Sequence, residues 1–308
     1  DDYVSYVWFD ALVNYVTGAL SKKFSDGSSA WPADYHLIGK DILITHSVYW
    51  TTMLFALGLE QPRHILAHGW WLNDGAKMSK SSGTAINPIP YVEAYGVDPF
   101  RYFLMRDMVL GQDASFSDEN FIKRLNSDLA NDLGNGLNRV TNLISRHFDG
   151  VFPKAPAVAE ETIDQELRLE SEAMVQRTTS LLQQLKLSQA LEEIFSVVRL
   201  VNRYLEERAP WKLAKSPELR DDLVRTLRTS GEALRIALQL LHPVMPERAE
   251  KGLQMLGSSN IGLDGLRWGL LKGGEKLAPA TPLFPRIEVE KKVQPAPTPK
   301  KQRAAATP

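Results

Sequence analysis

The chain has 308 residues, 44% hydrophobic and 24% charged, with a formal net charge of −1 and no cysteine. That composition suits a globular protein of about two domains with a real core; the near-zero charge excludes global attraction to nucleic acid, so any RNA contact must come from local patches. Without cysteine there is no disulfide framework and no thiolate metal site, and with no apolar run of membrane-spanning length and no visible signal peptide, a cytoplasmic protein without a membrane partner is expected.

Tyr3 to Phe9 predicts a buried strand from its β-branched and aromatic content. Asp10 is placed as the cap of a helix whose apolar row is Leu12, Tyr15, Val16 and Ala19. Lys22 to Asp34 is polar and Gly/Ser-rich, a surface loop. A second strand is expected at His36–Ile38, turning at Gly39. The helix beyond it carries His46, Tyr49, Trp50, Met53, Leu54 and Leu57 on one stripe and ends at Gly58. Pro62 precedes a third strand, Ile65 to Leu72, and Asn73-Asp74-Gly75 is a hairpin signal. This rhythm predicts a parallel, doubly wound sheet, with ligands at the carboxyl ends of its strands.

There follows Lys77-Met78-Ser79-Lys80-Ser81, set between Gly75 and Gly83. Two lysines and two hydroxyls on a hinged loop can close over a polyanion. The chemistry this suggests is nucleotidyl transfer, with the lysines stabilising charge on a departing pyrophosphate.

From Asp98 the pattern turns helical, with Asp98 as cap and Pro99 opening a helix from Phe100 to Asp107. After a loop at Gly111 to Phe116, a long helix is expected from Ser117 to Phe148 on the row Ile122, Leu125, Leu129, Leu133, Leu137, Val140 and Ile144. Its other side carries Asn131, Asn135, Asn138, Arg139 and Asn142, amides and a guanidinium suited to the edges of splayed bases. Gly134 and Gly136 would permit close backbone approach. Further helices are expected over Thr162–Lys186, Ser188–Arg208 and Pro217–His242, completing an antiparallel helical bundle. Residues 1–116 thus form an α/β region, 117–275 a helical one, and 276–308 a largely disordered tail, its last stretch rich in Pro, Ala and Lys. His64 and His68 lack the helix and glutamate of a metal motif, so no metal site is expected.

The lysine loop resembles that of the class I aminoacyl-tRNA synthetases. Tyr6-Val7-Trp8-Phe9-Asp10-Ala11-Leu12, Ile38-Gly39-Lys40-Asp41-Ile42, His46-Ser47-Val48-Tyr49-Trp50 and Ala209-Pro210-Trp211 resemble the methionyl-tRNA synthetase family in particular. The resemblance runs from about Tyr3 to about Trp268. It implies the C-terminal half of a Rossmann-like catalytic domain followed by a helical anticodon-binding domain. The half carrying the family's H-x-G-H signature is absent from this sequence, so that half is an expected partner and this chain alone should not be a competent enzyme.

The implied activity is ATP-dependent activation of methionine to methionyl-adenylate, with Mg2+, and its transfer to tRNA(Met) for translation initiation and elongation. Lys77 and Lys80 are implied as catalytic. Gly39, Asp41, His68, Gly69, Lys80 and Ser81 are implied for ATP, and Trp8, Ala11, Tyr15, Ile42, His46 and Trp50 for methionine. Asn135, Arg139, Pro210 and Trp211 are implied for the anticodon. Leu12 and Thr45 differ from some relatives, and Glu206 stands where the family usually has an aspartate. From the residues alone, the tryptophans and His46 read as core residues with satisfied ring nitrogens. Asp41 reads equally as a helix cap, and the asparagine row as a solvated face. Another class I synthetase, or a non-catalytic tRNA-binding scaffold, are the competing functions.

Overall fold

Alternation along β1 (Tyr35–Gly39) turns His36 and Ile38 inward and leaves Tyr35 and Leu37 exposed. β1 pairs in parallel with β2 (His64–His68), from Tyr35 opposite His64 to Gly39 opposite His68. The computed structural model describes residues 3–73, 76–78 and 86–288, with backbone alone at 76 and 77.

The connection between β1 and β2 is helical, as a parallel pair requires. It runs through a 3₁₀ turn (Lys40–Ile42), a π-helical turn (Thr45–Trp50) and α3 (Thr51–Ala56). Gly58 ends it at φ 67°, a left-handed stop that glycine adopts without a Cβ penalty. The expected stripe is only partly inward: His46, Trp50 and Leu54 are buried, while Tyr49 and Leu57 are exposed. The third predicted strand is two. β2 ends at His68, and β3 (Trp71–Asn73) belongs to a second sheet ordered β4–β3–β5. β4 (Ala76–Lys77) pairs antiparallel with β3, Asn73 facing Ala76, while Asp74 and Gly75 of the hairpin signal lie outside the described residues. Trp71 faces Ala114 in β5 (Ala114–Phe116), a strand where the sequence reads as loop.

The predicted strand at Tyr3–Phe9 is corrected. Val7–Ala11 is a short helix, α1, and α2 spans Asn14–Leu20. The Phe9 amide donates to the Tyr6 carbonyl and the Leu12 amide to Trp8, so the backbone is satisfied locally. Asp10 lies inside α1, and Val13 stands at the N-cap of α2 with no side-chain cap bond. Leu12 of the predicted row is buried with Trp50 and Leu54 in a small core of its own.

The main core is helical. α4 (Ile89–Tyr95) and α5 (Val97–Asp107) lead into it. Asp98 does not cap its own helix, which starts from Gly96 at φ 91°. Its buried carboxylate instead accepts the Arg248 amide at 2.7 Å, in the first turn of α12 (Pro246–Met255), a helix without a cap of its own. The long predicted helix is present as α6 (Asp118–Arg124), a π-helical stretch (Leu125–Gly134) and α7 (Asn135–His147), with Ser117 as N-cap. Its leucines recur every four residues, which overshoots a 3.6-residue turn by about 40° per step. Wider π turns absorb that drift, and Leu125, Leu129, Leu133 and Leu137 all stay buried.

α8 (Thr162–Gln183), α9 (Leu187–Arg208) and α11 (Arg220–Leu241) complete the bundle, with α10 (Pro210–Leu213) between the last two. The core does not divide at 116/117. Tyr102, Phe103 and Phe116 share it with Phe121, Phe195 and Leu238. Nor does the tail begin at 276: Leu277, Leu283 and Phe284 are buried, and Asn126 exchanges two 2.8 Å hydrogen bonds with the Ile287 backbone. No helix among the described residues is long and apolar enough to cross a membrane.

A Cβ on Gly69 would lie 2.0 Å from the Gln112 carbonyl oxygen and 2.7 Å from the Asp113 nitrogen, where neither backbone can yield. Gly69→Ala is expected to destabilise the protein by about 3 kcal/mol. Gly18→Ala, in α2 with nothing within 4 Å, should stabilise by about 0.5–1 kcal/mol. Urea denaturation of the two variants checks both signs.

Candidate functional site

The register of β1 on β2 puts Gly39 beside His68 at the carboxyl ends of both strands. A Cβ on Gly39 would sit 2.6 Å from Asp41 Oδ1 and 3.9 Å from the His68 ring. The glycine therefore lets the Asp41 carboxylate fold back over the strand end. Gly39, not Asp41, occupies the N-cap position, and Asp41 is exposed in the turn that follows. His68 Nδ1 donates to the Gly69 carbonyl at 2.8 Å, so in the neutral ring Nε2 is the acceptor nitrogen. The missing side chain of Gly69 answers the Gln112 backbone, and Trp71 packs on Phe103 and Phe116 in the core.

Lys40 closes this polar corner. Its ammonium is 2.6 Å from Asp113 and lies over the Trp70 ring at 4.2 Å. The Asp113 carboxyl is held below the usual range by the Lys40 hydrogen bond, then by the Trp70 amide.

Beside the corner lies an aromatic cluster. Tyr15 Oη is 3.0 Å from His46 Nε2, and His46 Nδ1 donates to the Ile42 carbonyl at 2.9 Å. In the neutral ring, Nε2 therefore accepts the tyrosine proton. Trp8 meets His46 edge-on, with ring centroids 5.9 Å apart, and Tyr15 stands 5.8 Å from Trp50. His46 and Trp50 are completely buried with satisfied ring nitrogens, whereas Trp8, Tyr15 and Ile42 are partly open and Ala11 is exposed. The cluster thus has a buried back and a reachable front. An open cleft of about 640 Å³ adjoins it, lined by Tyr6, Trp8, Phe9, Tyr49, Thr52 and Met53.

His36 escaped the sequence reading of the site. It is buried, its Nε2 takes the Trp50 Nε1 hydrogen at 3.0 Å, and its ring lies 4.4 Å from Tyr15. The available signal was its inward place in the β1 alternation, since a polar side chain turned inward needs a partner.

Of the lysine loop, Lys77 is described by its backbone in β4, and Lys80 and Ser81 lie outside the described residues. Met78 and Ile86, which flank that stretch, both pack against the main core.

Far along the chain, the structure brings Arg139 and Trp211 together. The guanidinium lies 4.9 Å over the indole and 2.9 Å from Glu206. Trp211 is 38% exposed, and Asn135, one helical turn before Arg139, is also exposed. Pro210 is buried at the first position of α10, where it sets the turn that presents Trp211. Gly134 and Gly136 are buried and make room for protein: an added Cβ would meet the Leu129 carbonyl at 2.9 Å and the Asn202 amide at 3.3 Å respectively.

A family model described as "tRNA synthetases class I (M)" matches residues 1–141, and one described as "Anticodon-binding domain of tRNA ligase" matches residues 164–269. The methionine–tRNA ligase of Caldanaerobacter subterraneus is 42% identical over 295 residues, covering 94% of this chain and 46% of that protein. That of Clostridium tetani is 40% identical, covering 95% and 46%. Mycobacterium tuberculosis methionyl-tRNA synthetase, solved in complex with methionyl-adenylate, superposes with a TM-score of 0.84 at 40% identity, over 92% of this chain and 56% of that one. The chain spans about half the length of the curated relatives it matches.

Burial, with the His46 ring behind it, holds the His36 pKa below its ordinary 6.5. The unfolded chain therefore takes up a proton near 6.5 that the folded chain refuses. The stability this contributes is complete above about pH 6.5 and is lost progressively as pH falls below it. Melting temperatures between pH 8 and 5 should drop less in His36→Gln than in the unsubstituted chain.

Proposed function

This chain belongs to the class I methionyl-tRNA synthetase family, and we propose that it supplies the methionine, nucleotide and anticodon contacts of a methionine–tRNA ligase. The observation that carries this reading is the adjacency, at the carboxyl ends of β1 and β2, of the Gly39–Asp41–His68 corner and the Trp8–Tyr15–His46 cluster. Polarizable rings suit a thioether, each sulfur–ring contact contributing about 0.3–1.5 kcal/mol. Trp8, Ala11, Tyr15 and Ile42 offer the ligand-facing side of that pocket, and His46 and Trp50 its backing. Asp41 accepts from ribose hydroxyls or from the substrate ammonium. His68 and Gly69 form the strand edge for adenine.

In the activation step the methionine carboxylate attacks the α-phosphorus of ATP, which enters with Mg2+, and the bond to pyrophosphate breaks. Lys77 and Lys80, with Ser81, neutralise the charge that gathers on the leaving group. The terminal ribose of tRNA(Met) then attacks the adenylate carbonyl and releases AMP.

The part of the relatives' length that this chain does not span complements these contacts in the catalytic domain. Supporting this is the apolar surface of the α/β region, where Val7, Phe9, Ile44, Val48 and Phe55 are exposed together with Val4. Asn135, Arg139 and Trp211 read anticodon bases. Pro210 shapes the turn they depend on, and Glu206 orients Arg139 from a longer stem than aspartate would.

In the full-length enzyme, Lys80→Ala should slow methionine-dependent ATP–pyrophosphate exchange by about 10²–10³-fold. Unchanged exchange would remove Lys80 from the mechanism. Trp211→Ala should slow charging of tRNA(Met) by about 5–150-fold and leave exchange nearly intact, because a stacked base contributes about 1–3 kcal/mol far from the adenylate. Parallel loss of both activities would make Trp211 a folding residue instead.

A further inference from the structure

His36 touches two walls of the aromatic cluster at once. It accepts the Trp50 indole hydrogen at 3.0 Å and lies at a 33° tilt to the Tyr15 ring, centroids 4.4 Å apart. Trp50 has no exposed surface, so no water can replace that acceptor. Tyr15 is fixed at its other end by His46, and His46 by the Ile42 carbonyl. The sequence of contacts therefore runs from Ile42 through His46 and Tyr15 to His36 and on to Trp50. His36 is the member held by a strand, since Leu37 beside it pairs with Leu66 of β2. The helical members sit on α2 and on the π-helical turn, elements without a sheet to fix them.

We propose that His36 is a positioning residue of the methionine pocket, holding Tyr15 and Trp50 in the spacing that admits the thioether side chain. This rests on the reading of the cluster as the methionine site. His36 lies behind the pocket walls and acts through them. With Nε2 accepting from Trp50, the neutral ring carries its proton on Nδ1. The flat face toward Tyr15 and the nitrogen toward Trp50 are separable contributions. Phenylalanine would keep the face and lose the acceptor. Glutamine would keep an acceptor at a similar reach and lose the ring.

The test is ATP–pyrophosphate exchange by the full-length enzyme carrying His36→Phe or His36→Gln, with methionine and ATP varied separately. His36→Phe is expected to raise the methionine KM by about tenfold, the effect of leaving one buried N–H unpaired. The ATP KM and kcat should stay within about twofold, and His36→Gln should recover most of the loss. An unchanged methionine KM in His36→Phe overturns the proposal, as does a rise in both KM values together. Should His36→Phe not fold, 15N chemical shifts of the histidines in the unsubstituted enzyme decide. Expected are an acceptor Nε2 at His36 and a shift on adding methionine but not on adding ATP; no response to methionine overturns the proposal. An unsubstituted enzyme that exchanges with another amino acid and not with methionine would instead remove the functional reading itself.

Discussion

A parallel ladder that brings Gly39 level with His68 governs where the candidate ligand groups stand. Strand pairing fixes register in steps that invert every side chain, so a one-residue slip would turn His36 and Ile38 outward and Leu37 in. It would also separate the Asp41 carboxylate from the His68 ring. The 3₁₀ turn and the π-helical turn begin directly after β1, so the cluster of Tyr15, His46 and Trp50 inherits its place from the same register. Lys40, paired with Asp113 and lying over Trp70, ties that end of the ladder to the second sheet, whose β4 holds Lys77.

The helical part is held by a different economy, one large apolar core with charges paired at its margins. Arg124 bonds Asp107 and Asp128, and Arg106 joins Asp128 to Glu192, so α5, the long helix and α9 are linked through one network. Tyr102 donates to Asp128 in the same network at 2.7 Å, and burial raises its pKa well above the ordinary value. Such pairs rarely add much stability after desolvation, but breaking one leaves a buried charge alone. Asp98 makes the comparable connection from α5 to α12, where a buried carboxylate serves a helix distant in sequence.

Long periodic segments were legible because one face of each is apolar at helical spacing. The row from Ile122 to Ile144 and the stop at Gly58 stand in the structure as the residues suggest. Short segments were not. Tyr3 to Phe9 has strand composition, but a strand exists only with a partner, and among the described residues none pairs with it. Ala114–Phe116 is the reverse case, a loop by composition that becomes a strand because β3 lies alongside. Capping residues were misassigned for a related reason: Asp10 and Asp98 are cap residue types, and what each bonds depends on its neighbours in space.

The sequence by itself determined the α/β-then-helical order, the helices with their buried faces, and the resemblance carried by the lysine loop and by the Trp8, Gly39, His46 and Trp211 stretches. These follow from local spacing and residue chemistry, which need no coordinates. Only the tertiary structure decided that Trp50 is buried with His36 as its acceptor, that Gly69 answers Gln112, and that Arg139 lies on Trp211 with Glu206 beside it. Those are contacts between residues distant along the chain, and their geometry is fixed by packing and strand register, which no local pattern encodes.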